Sequence, residues 1–307
     1  MLEIETRRAI AAAEPHRAFL EALDATEKTR QTYDRALKQW EAYTASQGLT
    51  VTQATRETVL AYREKMQAEG KSAATVNTYL TAVRAFYSWL EAARVYPNIA
   101  AGVKGQRRNS RSPKEALTRT QAAALLNARP EGLEGLRNAA MINLMLRRGL
   151  RTVEITRANI GDLRQINGEA VLYVQGKGYA DKGDFVILNE ACLKPLYAYL
   201  EARGVTDDAA PLFASIGNRN QGGRMTTRTV SRIVKDAMTE EGISSARLTA
   251  HSLRHTAVTF ALLGGASVQE VQAMARHASI NTTMIYAHNL DRMQAGAEHA
   301  VDAFLQV

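Results

Sequence analysis

Apolar side chains recur at helical spacing along the first third of the chain. Tyr33, Leu37, Trp40 and Tyr43 fall three or four residues apart, which predicts a helix over 27–46 with Thr26 as N-cap and Gly48 beyond its end. Val59, Tyr62 and Met66 predict a second helix, opened by Thr52 or Thr55 and stopped near Gly70. Ser72 opens a third, with Val76, Tyr79, Leu80, Val83, Phe86, Tyr87 and Leu90 on its inner face and Pro97 beyond it. A weaker pattern over 9–23 is compatible with one more helix. These segments predict a small all-helical domain most of whose aromatics belong to its core.

The second part starts helically as well. Thr118 caps a helix reaching 128, and a second over 133–148 stops at Gly149, a residue suited to a left-handed C-cap. A short helix follows from Thr152 towards Asn159. The period then shortens to two: 162–166, 170–175 and 184–188 predict three short strands, with Asn167-Gly168 as the hairpin turn between the first pair. Helices return over 190–203, from Thr226 or Thr227 through 241, over 251–263 up to Gly264-Gly265, and over 267–275 and 281–287. The tail over 291–307 is helical near its end. The fold class is therefore mainly α with a small β-sheet. Residues 102–113 lack periodicity and read as a linker, dividing the chain into 1–105 and 106–307.

Composition narrows the classes. Apolar residues make up 46% and charged residues 23%, which excludes wholesale disorder. One cysteine, Cys192, excludes an internal disulfide and fits a reducing, cytoplasmic setting. No apolar run approaches the ~18 residues of a membrane span, and acidic residues stand where a signal peptide carries basic ones. The net charge is +8, and its distribution is uneven. Over 104–119, Lys104, Arg107, Arg108, Arg111, Lys114 and Arg119 oppose Glu115 alone, six cations against one acid, or +5. Such a segment reads either as a solvated linker or as a strap on a phosphate backbone.

Six polar residues carry the candidate chemistry: Arg151, Lys177, His251, Arg254, His277 and Tyr286. They sit in Gly149-Leu150-Arg151-Thr152-Val153-Glu154, Gly176-Lys177-Gly178, His251-Ser252-Leu253-Arg254-His255-Thr256, and His277-Ala278-Ser279-Ile280-Asn281-Thr282-Thr283 followed by Tyr286. In this order the four segments resemble the tyrosine recombinase, phage integrase-like family. The resemblance implies a helical N-terminal DNA-binding domain and a mixed α/β catalytic domain. It also implies site-specific cleavage and rejoining of DNA strands through a 3′-phosphotyrosyl intermediate, with no cofactor and no metal.

Each residue type suits its implied role. Arginines stay charged and their forks match phosphate geometry, so Arg151 and Arg254 are the implied clamps. Tyr286 is the implied nucleophile, and Lys177 the general acid for the leaving 5′-oxygen, with Lys182 its nearest competitor. His251 either takes the tyrosine proton or bonds a phosphate oxygen, and His277 hydrogen-bonds the same phosphate. Glu154 orients Arg151 or His251, and His255 is a supporting neighbour. The chain departs from the family pattern at Arg276, where glycine is usual.

The resemblance implies double-stranded DNA as partner, with two protomers per site and four in a paired-site synapse. Accessory DNA-bending proteins are further candidate partners, in a nucleoid-associated setting. Candidate DNA contacts are Lys71 and Arg84 in the first domain, Arg107, Arg108 and Arg111 in the linker, and Arg219, Arg224, Arg228, Arg247 and Arg276 in the second. The N-terminal segment reads as too short for a separate arm-site-binding domain, which implies a compact form. The tail, with Val301, Phe304 and Leu305, docks either within its own chain or on a neighbour. Two rival readings are a type IB topoisomerase and a catalytically inactive DNA-binding architectural protein.

Overall fold

Thr26, Thr55, Ser72, Thr118, Thr226 and Ser267 each accept a hydrogen bond from the backbone N–H three residues on, fixing where their helices begin. The computed structural model describes residues 13–107, 115–176, 181–218, 220–294, 301–302 and 304–305. The chain divides into two compact units, Met1–Ser112 and Pro113–Val307.

The first unit holds α1 (Pro15–Ala22), α2 (Glu27–Ser46), α3 (Arg56–Ala68) and α4 (Ala73–Ala92). Its core gathers Phe19, Leu37, Trp40, Val59, Met66, Leu80, Phe86, Tyr87 and Leu90. Burying Trp40 and Tyr87 requires partners for their polar ends. Trp40 Nε1 donates to Tyr87 Oη at 3.1 Å, and Tyr87 Oη donates to the Val51 carbonyl at 2.7 Å. Val103 also lies in this core. Asn77 brackets Gln106 through two hydrogen bonds, of 2.9 and 2.8 Å, so the start of the basic segment packs on this unit.

The second unit holds α5 (Arg119–Asn127), α6 (Gly132–Arg148), α7 (Thr152–Arg157), β1 (Leu163–Ile166), β2 (Glu169–Val174), β3 (Asp184–Leu188) and α8 (Glu190–Arg203). It continues with α9 (Thr227–Glu240), α10 (Ala250–Leu263), α11 (Val268–Ala275) and α12 (Ile280–Gln294). The strands form one antiparallel sheet in the order β1-β2-β3, with Leu163 opposite Leu172 and Val171 opposite Ile187. Asn167 and Gly168 both take positive φ, 50° and 84°, as a tight hairpin requires. The core runs through Met141, Leu144, Met145, Leu172, Leu188, Leu196, Phe213, Val230 and Leu253. Cys192, on α8, is fully buried, and burial pushes its thiol pKa up.

Two of the boundary shifts from the sequence pattern have a visible cause. Asp162 belongs to a 3₁₀ turn (Ile160–Asp162), where its carboxylate accepts the Asn159 N–H at 2.6 Å, so the first strand starts one residue later. The last helix runs from Ile280 to Gln294, well past 287, because the stretch contains no glycine or proline to stop it.

Candidate active site

The α6 helix ends at Gly149, whose φ of 62° turns the chain sharply into α7. The turn leaves the Gly149 carbonyl facing inward, where Arg254 Nη1 donates to it at 2.6 Å. Arg151 then takes the N-cap position of α7. Glu154 reaches back from the third helical position and accepts the Arg151 backbone N–H at 2.7 Å and Arg151 Nη1 at 2.7 Å. The main chain and side chain of Arg151 are thus held by one carboxylate.

Arg276 arrives from the turn between α11 and α12. It adopts a left-handed conformation, φ 53°, and donates through Nε and Nη2 to the two oxygens of Glu154, at 3.1 and 2.7 Å. Its own carbonyl accepts Arg151 Nη2 at 2.8 Å. Arg254 Nη2 donates to the Ala275 carbonyl beside it. Three guanidiniums therefore gather around one carboxylate, which leaves a net charge of +2 in this pocket.

Glu154 has no exposed surface. Burial alone raises its pKa, but hydrogen bonds and charge from Arg276 and Arg151 outweigh that, and the carboxyl sits below its ordinary range. Arg254 is pulled down to about 9, first by burial and then by the charges of Arg151 and Arg276. It stays charged at neutral pH. His277 is lowered to about 4, first by burial and then by the three arginines, so its imidazole is neutral at pH 7.

Tyr286 projects from α12 into the same pocket. Its ring lies 6.4 Å from that of His277, nearly parallel, and 5.3 Å from that of His255. Its hydroxyl meets His255 Nδ1. Burial raises its pKa, only partly offset by the charge of Arg254, so the phenol is neutral. His251, exposed one turn before His255 on α10, lies with its ring 4.4 Å away at 78°.

The segments 149–154, 251–255 and 276–286 thus meet, bringing together Arg151, Glu154, His251, Arg254, His255, Arg276, His277 and Tyr286. Lys177 lies outside the described residues. Its nearest described neighbour, Gly176, is anchored by Arg157 Nη1 at 3.1 Å, and Lys182 is engaged by Asp162 at 2.5 Å. Sequence reasoning missed Thr283, which is fully buried and pairs its hydroxyl with His277 Nδ1 at 2.8 Å. Its position three residues before Tyr286, on the same helical face, was the available signal.

The candidate DNA contacts separate into groups. Arg108, Arg111 and Arg219 lie outside the described residues. Arg107 and Arg228 are exposed, and Arg247 is exposed beside Glu115 at 2.9 Å. Lys71 pairs with Glu69 at 3.0 Å, and Arg84 is half-buried. One expectation needs correction. The Arg276 side chain is only 4% exposed and is spent on Glu154, so it is not a surface cation. Arg224 is exposed and donates to the Thr156 carbonyl at 2.7 Å and to Asn159 Oδ1 at 2.6 Å, at the end of α7.

Three arginine, histidine and tyrosine segments folded around one pocket, with a separate helical unit ahead of them, define a tyrosine-dependent DNA strand-transfer enzyme. The chain belongs to the phage integrase family, whose model matches residues 115–293, and the phage integrase N-terminal SAM-like domain matches residues 17–94. A tyrosine recombinase XerC from Pelobacter propionicus is 33% identical over 270 residues, covering 86% of each chain. A tyrosine recombinase XerD from Caulobacter vibrioides is 32% identical over 285 residues, covering 88% of this chain and 90% of its own. Among solved structures, the XerH recombinase bound to a palindromic difH substrate after cleavage aligns with TM-score 0.73 at 21% identity, over 92% of this chain and 83% of that one. A lambda integrase tetramer bound to a Holliday junction aligns with TM-score 0.68 at 18% identity, over 90% and 76%. The enzyme is a tyrosine-type site-specific recombinase.

Proposed function

We propose that this recombinase cuts duplex DNA by attack of Tyr286 on a backbone phosphate held by Arg151 and Arg254. Charge builds on the non-bridging oxygens during attack, and two preorganised guanidiniums stabilise that charge more than they stabilise the bound duplex. The tyrosyl oxygen forms a bond to phosphorus, the bond to the 5′-oxygen breaks, and Lys177 supplies the proton that makes the 5′-hydroxyl. The phosphotyrosyl link keeps the phosphate activated, so the 5′-hydroxyl of another duplex can reverse the step without an external energy source. His277, neutral and fixed by Thr283, and the exposed His251 supply hydrogen bonds to the phosphate. The observation that carries this reading is the convergence of Tyr286 with Arg254 and the Glu154-bound Arg151 in one buried, positive pocket.

Double-stranded DNA is the proposed partner, with a dimer on each site and a tetramer at synapsis. The similar structures include a lambda integrase dimer bound to a core site and the tetramer on a junction. The exposure of Val301, Phe304 and Leu305 supports docking of the tail on a neighbouring protomer. Truncation after Met293 then impairs strand exchange and multimer assembly more than folding.

A nicked suicide duplex carrying the cognate site tests the reading. Wild type forms a 3′ covalent adduct and Tyr286→Phe forms none. Joining of strands from two duplexes selects recombination over relaxation by a topoisomerase. Absence of any adduct on a verified cognate site leaves only a DNA-binding role.

A further inference from the structure

Helix α10 carries two histidines one turn apart, and they differ in position. His251 is exposed, whereas His255 is 4% exposed and lies deeper. The Tyr286 hydroxyl meets Nδ1 of His255, with the two rings 5.3 Å apart and tilted by 34°. We infer that His255 is a catalytic residue, the group that takes the phenolic proton of Tyr286 as the phenol attacks phosphorus. The inference rests on the reading of Tyr286 as the nucleophile.

Two other basic groups of the pocket are otherwise engaged. Glu154 accepts from Arg151 and Arg276. His277 uses Nδ1 on Thr283 and lies nearly parallel to the tyrosine ring. Among the described residues, the rings of His251 on its own helix and Tyr286 on α12 lie against His255. Accepting at Nδ1 places the proton of the neutral imidazole on Nε2. Imidazole is the side chain best suited to proton transfer at neutral pH.

The step balances. A lone pair on Tyr286 Oη forms the new bond to phosphorus while the phenolic proton passes to His255 Nδ1. The phosphorus–5′-oxygen bond breaks, and that oxygen leaves with a proton from Lys177. On rejoining, a 5′-hydroxyl attacks, its proton returns to the lysine amine, and the released phenolate recovers its proton from His255. The assignment gives His251 the hydrogen bond to the phosphate.

The test is single-turnover cleavage of the cognate suicide duplex by the full chain between pH 6 and 9.5. His255→Asn is the informative variant, because its carbonyl oxygen replaces Nδ1 as an acceptor without basicity. It binds the duplex with unchanged affinity and cleaves about 100- to 10,000-fold more slowly at pH 7. The deficit shrinks about tenfold per pH unit as hydroxide replaces the missing base. A 5′-phosphorothiolate, whose sulfur leaves without a proton, restores Lys177→Ala but not His255→Asn. Circular dichroism monitors folding, and His255→Gln is the second variant should asparagine unfold the helix. Cleavage within threefold of wild type, or a deficit equal at every pH, overturns the assignment. If wild type itself forms no Tyr286 adduct, the nucleophile reading fails instead.

Discussion

Replacing Glu154 with glutamine removes the one negative charge from a pocket of three guanidiniums. The carboxylate has no exposed surface and accepts four hydrogen bonds of 2.7 to 3.1 Å, two from Arg151 and two from Arg276. Breaking a buried, hydrogen-bonded ion pair costs about 3–5 kcal/mol, because the remaining charges stay desolvated. With a urea dependence of about 2–3 kcal/mol per molar, the midpoint of the second unit falls by about 1–2.5 M. Far-UV circular dichroism reads that transition. Trp40 and Trp89, the only tryptophans, both lie in the first unit, so their fluorescence is the internal control and keeps its midpoint. The pH dependence sharpens the test. The folded carboxyl is held below its ordinary value, so its contribution is complete above the unfolded pKa near 4.3 and disappears as pH falls through the folded one. The gap between wild type and Glu154→Gln is therefore full at pH 7 and closes below about pH 4. Cleavage falls about 100-fold as Arg151 loses its anchor. Equal midpoints at pH 7, or a gap unchanged down to pH 3, refute the argument.

Arg254→Lys loses the fork that spans the Gly149 and Ala275 carbonyls, and its single-turnover cleavage falls about 100- to 1,000-fold, read on the suicide duplex. Arg276→Gly relieves a left-handed residue, worth about 1 kcal/mol, but strips Glu154 of one partner, worth about 3 kcal/mol. Urea melts should show a net loss of about 2 kcal/mol, and a variant more stable than wild type sinks this account. The His277 ring resonance does not titrate between pH 5.5 and 8 in the DNA-free enzyme, because its pKa is lowered to about 4. The unfolded chain binds the extra proton in that window, so stability rises with pH from about 4 to 6.5. Arg228→Ala, removing an exposed cation, reduces the salt slope of DNA binding by about one without altering cleavage of bound duplex.

Local chemistry was readable from the chain. The N-caps at Thr26, Ser72, Thr118 and Thr226, the Asn167-Gly168 turn and the Gly149 stop are decided within three or four residues. The site was readable as motifs, because Arg151, Arg254 and Tyr286 sit in recognisable surroundings. The roles of the neighbouring residues were not. Arg276 reads as a surface cation until the chain brings Glu154, 122 residues away, against it. Arg224 reads as a free arginine until the end of α7 is placed beside it. His255 is one more helical histidine until α12 crosses α10 and sets a phenol on its Nδ1. Each depends on a contact between distant segments, which periodicity does not encode.

The lone thiol offers a practical opening. Cys192 has no exposed surface and an elevated pKa, so it is inert towards maleimide reagents. A cysteine introduced on an exposed position of each unit then takes a fluorophore without any background substitution. Energy transfer between the pair then measures the distance between the two units directly, with and without DNA.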